Sequence, residues 1–313
     1  MLLINRMLLS GITLLAITWC VGCGDDAKRL EKSSPDHPIV FASTYDESHG
    51  EIYLITAPGN PPIRLTNDTE ANFHPVLSPD GMKVAYVTRG SDLRENIWVM
   101  LVDEAGAVIA SYPLTNDACN NITPCWSPDG TKVLFARIND DPLTDLPAGI
   151  YEQAITSDTA ALVVGDNARN PAYSPTHPEM LAFSRVADGV EQVYTALRSS
   201  PDTVTQVTTL TDPALVMNTI AWSPDGRQLA CSGIAGNGNG RIYLVPPTGG
   251  AATLLTSTDD DSGGPSWFDA TTIVFFANAG DDGAHNLYAI PATGGTPTVV
   301  LSNFGDITRA HIR

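Results

Sequence analysis

The chain has 313 residues, 43% apolar and 17% charged, so it is globular rather than disordered and long enough for one large all-β domain or two ordinary ones. Its 35 acidic residues against 17 basic ones leave a net charge of −18, which repels phosphate backbones and anionic lipid and argues against nucleic acid as a partner. Twenty-six glycines and 23 prolines mark a chain that turns often.

The first element is an address. Arg6 supplies a positive start, and Met7 to Ile17 is an apolar run too short to span a bilayer comfortably. It ends in Trp19-Cys20-Val21-Gly22-Cys23, where a small residue immediately before a cysteine resembles the lipobox of bacterial lipoproteins. The resemblance implies that residues 1–22 are a signal peptide cut before Cys23, whose thiol is then acylated. An ordinary secretory signal and an uncleaved anchor are the alternatives. Residues 23–37 are polar and without apolar periodicity, which predicts a flexible tether. Gly24 is not the Asp that holds some lipoproteins at the inner membrane, so by analogy the anchor lies in the outer membrane, facing the periplasm or the cell surface.

Residues 38–313 repeat. Leu77-Ser78-Pro79-Asp80-Gly81, Trp126-Ser127-Pro128-Asp129-Gly130, Tyr173-Ser174-Pro175 and Trp222-Ser223-Pro224-Asp225-Gly226 align, and Trp267-Phe268-Asp269 is a degenerate fifth. The serine-equivalent positions are 49, 47, 49 and 45 residues apart, the period of a four-stranded propeller blade. Pro presets φ in each turn, Asp bonds local backbone and Gly takes the positive φ. An apolar strand follows each turn, as in Val84-Ala85-Tyr86 and Val133-Leu134-Phe135. A third strand starts at Ile97-Trp98, Ile150-Tyr151, Val193-Tyr194, Ile242-Tyr243 or Leu287-Tyr288, and a fourth closes on Leu-Thr or a variant of it. Short strands bounded by turns, with no helical period between them, predict an all-β chain.

Five units are complete and a sixth is split. Ile39-Val40-Phe41, Ile52-Tyr53 and Leu65-Thr66 are strands two to four of a blade without its first. The closing Thr precedes the next inner-strand Leu or Trp by 11 residues at Thr66, Thr115, Thr211 and Thr256, and 11 residues beyond Ser302 lies Arg313. The segment from Ile307 to Arg313 therefore has the right length to be the missing inner strand. Pairing the two ends would close a six-bladed β-propeller and remove its open edges.

The repeated W-S-P-D-G with its following apolar strand, I-Y and G-G turn resembles the TolB-type propeller repeat over residues 38–313. The resemblance implies a cell-envelope protein of TolB-like fold, without the additional N-terminal domain of TolB itself. Related propellers cap prolyl oligopeptidases and form pectin-fragment lyases. A peptidase needs a G-x-S-x-G elbow, and no such pentapeptide occurs. A lyase-like site needs clustered histidines for a divalent metal. His37 falls in the tether and His49, His177 and His285 in separate loops or turns. His74 and His311 lie near neighbouring inner strands but on opposite faces by strand alternation.

Acidic residues recur after the closing strands at Asp68, Asp117, Asp166, Asp212 and Asp259 to Asp261. Turn chemistry explains them more simply than a cation-attracting ring does. Gly280-Asp281-Asp282-Gly283 has a calcium flavour but not the ligand spacing of an EF-hand, so no cofactor is assigned, with Ca the divalent cation to consider. Cys119 and Cys125 leave a disulfide open. Cys231 stands where Phe41, Tyr86, Phe135, Phe183 and Phe276 stand in other blades and reads as a buried thiol.

A polar tunnel layer is the expected binding site. It comprises His74, Thr123, Asn170, Thr219 and Gly264, three residues before each inner-strand Leu or aromatic, with Asn72, Asn121 and Asn218 beside it. The expectation is a monomeric, lipid-anchored, non-catalytic propeller that binds or scaffolds partner proteins of the envelope. A polysaccharide-binding or metal-assisted oligosaccharide lyase-like module is the alternative.

Overall fold

The computed structural model describes residues 37–46, 49–57, 59–139, 146–211, 216–234, 236, 238–256, 261–278 and 284–312. Cys23, most of the tether, the 280–283 loop, Asp212, Asp259, Asp260 and Arg313 lie outside the described residues.

Every regular element among the described residues is a strand. The chain opens with β1 (Ile39–Ser43), β2 (Glu51–Ile55) and β3 (Ile63–Arg64). A first continuous sheet holds β4 (Ala71–Leu77), β5 (Lys83–Arg89), β6 (Glu95–Val102) and β7 (Val108–Pro113); the next holds β8 (Asn120–Trp126), β9 (Lys132–Ile138), β10 (Gly149–Ala154) and β11 (Ala161–Val164). Then come β12 (Arg169–Tyr173), β13 (Met180–Ala187), β14 (Val190–Leu197) and β15 (Ser200–Gln206), followed by β16 (Val216–Trp222), β17 (Leu229–Ile234), β18 (Gly240–Val245) and β19 (Thr253–Leu254). The last continuous sheet is β20 (Ser262–Trp267), β21 (Thr272–Ala277), β22 (Asn286–Pro291) and β23 (Thr298–Leu301). Finally β24 (Ile307–Ile312) returns to β1, completing the sheet β24-β1-β2-β3. The protein is a six-bladed β-propeller closed by pairing its two ends.

Local chemistry fixes each blade. In the Ser-Pro-Asp-Gly turns the serine hydroxyl does more than its sequence neighbours reveal. Ser78 Oγ accepts from Lys83 N at 2.9 Å while Asp80 accepts from Met82 N at 3.0 Å, and Gly81 turns at φ 72°. Ser127 and Ser223 repeat the pattern. At the far side of the blade the closing threonine accepts an N–H near the start of the third strand: Thr66 from Ile52, Thr115 from Ile97, Thr256 from Ile242. In the β12–β15 blade that role falls to Thr208, bonded to Val193 N at 2.8 Å, and not to Thr211; the 11-residue spacing from Thr211 was a coincidence.

Six hydrophobic clusters hold the ring, each filling the space between two adjacent blades. Stacked aromatic pairs across strands two and three recur as Phe41–Tyr53, Phe135–Tyr151 and Phe183–Tyr194. The partner of Tyr288 is Phe275, so Phe275 rather than Phe276 holds this place in its blade. Cys231 fills it opposite Tyr243, fully buried, and burial pushes its thiol up to about 12. Cys119 and Cys125 do not bridge each other. A strand advances roughly 3.3 Å per residue, so the length of β8 separates their backbones well beyond disulfide reach of about 7 Å.

Closure brings residues about 260 positions apart together. Ile39 pairs with Ile312 and Val40 with His311. Phe304 stacks on Tyr45 at 4.1 Å and meets Tyr53 edge-on at 4.9 Å, while Asp306 N donates to Thr44 Oγ1. The packed inner-strand position equivalent to Leu77 is thus Ile312, one residue earlier than the Arg313 that spacing indicates. An apolar side chain is buried there, where an arginine would have to be desolvated.

Candidate functional site

The inner strands β4, β8, β12, β16, β20 and β24 surround the axial tunnel. Four carry a residue with positive φ directly before a proline: His74 (52°), Thr123 (51°), Asn170 (52°) and Gly264 (56°). Each is a β-bulge, where two residues face one on strand two. The proline has no N–H for the bulge to leave unpaired. Only Gly264 suits this conformation freely, and a Cβ there would meet the Phe276 ring at 2.8 Å. In β16, Ile220 replaces the proline, and the shift moves to Asn218.

Counting three residues back from Ile312 adds Arg309 to the layer, opposite Ala42 in the register where Thr219 faces Ser232. The full layer is therefore His74, Thr123, Asn170, Thr219, Gly264 and Arg309. Sequence reasoning missed Arg309 because it anchored the strand on Arg313. The burial preference for Ile312 was the signal that finds it.

The structure divides the expected site residues into two groups. Asn72, Asn121, Asn170 and Asn218 are committed to local structure. Asn72 Nδ2 donates to Asp68 Oδ1 at 3.0 Å and its Oδ1 accepts from Thr88 at 2.9 Å. Asn121 repeats the clasp with Asp117 at 3.0 Å, and its Oδ1 accepts from Arg137 Nε at 3.1 Å. Asn170 ties its blade to the next through Met217 O at 2.9 Å, and Asn218 accepts from the Ser232 hydroxyl. The acidic positions Asp68 and Asp117 serve as loop clasps, and Asp166 pairs with Arg185 at 3.3 Å.

The second group is unsaturated. His74 Nδ1, Thr123 Oγ1 and Arg309 Nη1 are closed off from solvent with no hydrogen-bond partner. Burial, with Arg309 and then Arg89 adding to it, pushes the His74 imidazole down to about 3, so it is neutral at neutral pH. Burial lowers the Arg309 guanidinium to about 10, which leaves it charged. His311 lines the same cavity as Arg309 but spends its Nδ1 on Leu77 N at 3.2 Å, and burial with the Arg309 charge lowers it to about 4. Among the described residues no three His, Cys, Asp or Glu side chains gather in ion-binding reach.

A cavity of about 640 Å³ opens from this layer toward the face bearing the Ser-Pro-Asp-Gly turns. Arg309 and Thr219 line it, and Pro79, Pro128 and Pro224 mark its mouth. Of the expected binding residues, Thr219 alone lines this funnel. Trp126, Trp222 and Trp267 form its walls, each spending its Nε1 on a carbonyl of the preceding blade: Val76 O at 3.1 Å, Ala172 O and Ala221 O at 3.2 Å. The indoles are thereby fixed and show the funnel only apolar surface. His37 packs its ring on Phe268 at 4.8 Å and lies at this mouth.

No family model and no curated protein matches the sequence. Solved structures do. TolB from Acinetobacter baumannii is similar with a TM-score of 0.72 at 18% identity, over 88% of this chain and 66% of that one, so the chain spans about two thirds of that protein's length. A puromycin-hydrolysing peptidase of Mycobacterium tuberculosis gives 0.58 at 19% identity, over 84% of this chain and 42% of that one. An oligogalacturonate lyase from Vibrio parahaemolyticus gives 0.56 at 15% identity, over 84% and 73%. These likenesses are of fold, a TolB-like propeller, and the fold alone serves both binding and catalysis.

Proposed function

We propose that the chain is a non-catalytic binding module of the cell envelope, anchored through Cys23, that docks a partner protein at the funnel face. The observation carrying this reading is the funnel itself: fixed indole walls, a proline rim and an apolar interior on a rigid ring. Preorganised aromatic pockets of this kind accept the buried anchors that dominate protein interfaces. The fold likeness to TolB is consistent with an envelope setting.

Site-specific photocrosslinking in intact cells tests it. A photoreactive residue at Ala270, exposed on the funnel rim, gives a discrete crosslinked protein; one at Thr69, exposed on the opposite face, does not. Crosslinks from Thr69 alone reverse the assigned face. No crosslink from either position, with glycan retained on an array, favours the polysaccharide reading. Cys23→Ala releases the protein from the membrane fraction if the lipid anchor is real.

A further inference from the structure

We propose that the funnel holds a small organic carboxylate with an apolar body, its carboxylate gripped by Arg309. The ligand shares the funnel with the docking reading above, but its test reads small-molecule binding and needs no protein partner.

The argument starts from charge. Acids outnumber bases about two to one, and most arginines of the blades find them: Arg64 with Glu51, Arg89 with Glu95, Arg137 with Asp117, Arg198 with Glu152 and Glu179. Arg241, on a third strand, also keeps a buried Nε without a partner, but it does not line the funnel. Arg309 has no ion pair and no hydrogen bond among the described residues, although it sits inside the tunnel. Arg309 is half-buried, with Nη1 closed off from solvent, and a guanidinium partly withdrawn from water without a counter-charge is costly and stays protonated, so its surroundings favour an anion. The groups facing Arg309 do not supply one. His74 and His311 are neutral, Cys125 is held as the thiol by burial, and Thr123 and Thr219 carry no charge. The carboxylate on the funnel lining, Asp269, lies exposed at the rim, spends Oδ1 on Thr271 and makes no ion pair with Arg309.

One fixed positive charge matches one negative charge. The planar guanidinium fork fits a carboxylate in two parallel hydrogen bonds, while a doubly charged phosphate would need a second cation. Thr219 is the uncharged polar residue of the same layer that also lines the funnel. Above the base the three indoles present apolar surface, because their N–H groups are already spent on carbonyls. That selects an aromatic or aliphatic body over a polyhydroxylated one. A cavity of about 640 Å³ suits such a small ligand.

The test titrates the purified full-length protein with 3-phenylpropionate, indole-3-acetate and octanoate, each beside its amide, and with acetate and inorganic phosphate. Calorimetry reads binding, and emission of the funnel tryptophans reports independently. The expected result is 1:1 binding of at least one apolar acid, about tenfold or more tighter than its amide, acetate or phosphate. Arg309→Met abolishes that preference and Arg309→Lys keeps part of it. Equal binding of acid and amide, retention of the preference in Arg309→Met, or no binding of any of the three acids up to about 10 mM overturns the proposal. Should Arg309→Met fail to fold, the acid-over-amide preference of the parent and the partial preference of Arg309→Lys still decide it.

Discussion

The two ends of the axial tunnel handle polar groups in opposite ways. At the end where blades connect, the polar side chains beside the inner strands are spent on one another: Asp117 bonds Cys119 N, Asn121 and Arg137, and Asp68 bonds Glu70 N and Asn72. In the layer below the funnel, Arg309, His74 and Thr123 keep buried atoms without partners, and of these Arg309 lines the funnel. Both regions are built from the same strands of the same repeat. Strands that pair their polar groups at one end have the means to pair them at the other, and the difference at Arg309 is what points to the funnel as a ligand site.

The contrast can be broken from several directions. Deleting residues 307–312 removes β24, which closes the ring and also carries Arg309. The remaining blade loses its inner strand, so the cooperative melt should disappear altogether in circular dichroism. A preserved transition would contradict closure by the termini. Next in size, Trp222→Ala removes a funnel wall and an inter-blade hydrogen bond, and should cost about 3–5 kcal/mol in denaturant unfolding. Trp222→Phe isolates the hydrogen bond at about 1 kcal/mol.

At the opposite end, Asp117→Ala leaves the buried Arg137 without its carboxylate and should cost on the order of 3 kcal/mol. A smaller effect sharpens the funnel side. His74 and His311 have folded values near 3 and 4, below the ordinary 6.5, so the unfolded chain binds more protons between them. Stability is therefore complete above about pH 6.5 and falls as the pH drops through this window toward 3. His74→Leu should flatten that slope, seen as melting temperature against pH; an unchanged slope would mean His74 is not held neutral by burial.

Much of the fold was legible. Blade period, turn chemistry and the split blade all follow from Ser-Pro-Asp-Gly and its spacing, because backbone constraints there are local. The site was less so. The rule of three residues before the packed position found His74, Thr123, Asn170, Thr219 and Gly264, but a one-residue error at Ile312 hid Arg309. Side-chain destinations were not local either. Asn121 looks like a tunnel residue until Asp117 and Arg137 are seen to claim it. The bulges before Pro75, Pro124, Pro171 and Pro265 shift the strand faces in a way simple alternation misses.

The most direct test sets Arg309→Met beside Arg137→Met in one unfolding experiment. Arg309 has no partner to lose, so its replacement should leave the protein as stable or raise stability by about 1 kcal/mol. Arg137 bridges Asp117 and Asn121 and lies over the Tyr151 ring at 4.0 Å, so its replacement should cost about 2 kcal/mol or more. Equal losses in the two variants would mean that Arg309 is a structural residue, and that the funnel is not held open for a ligand.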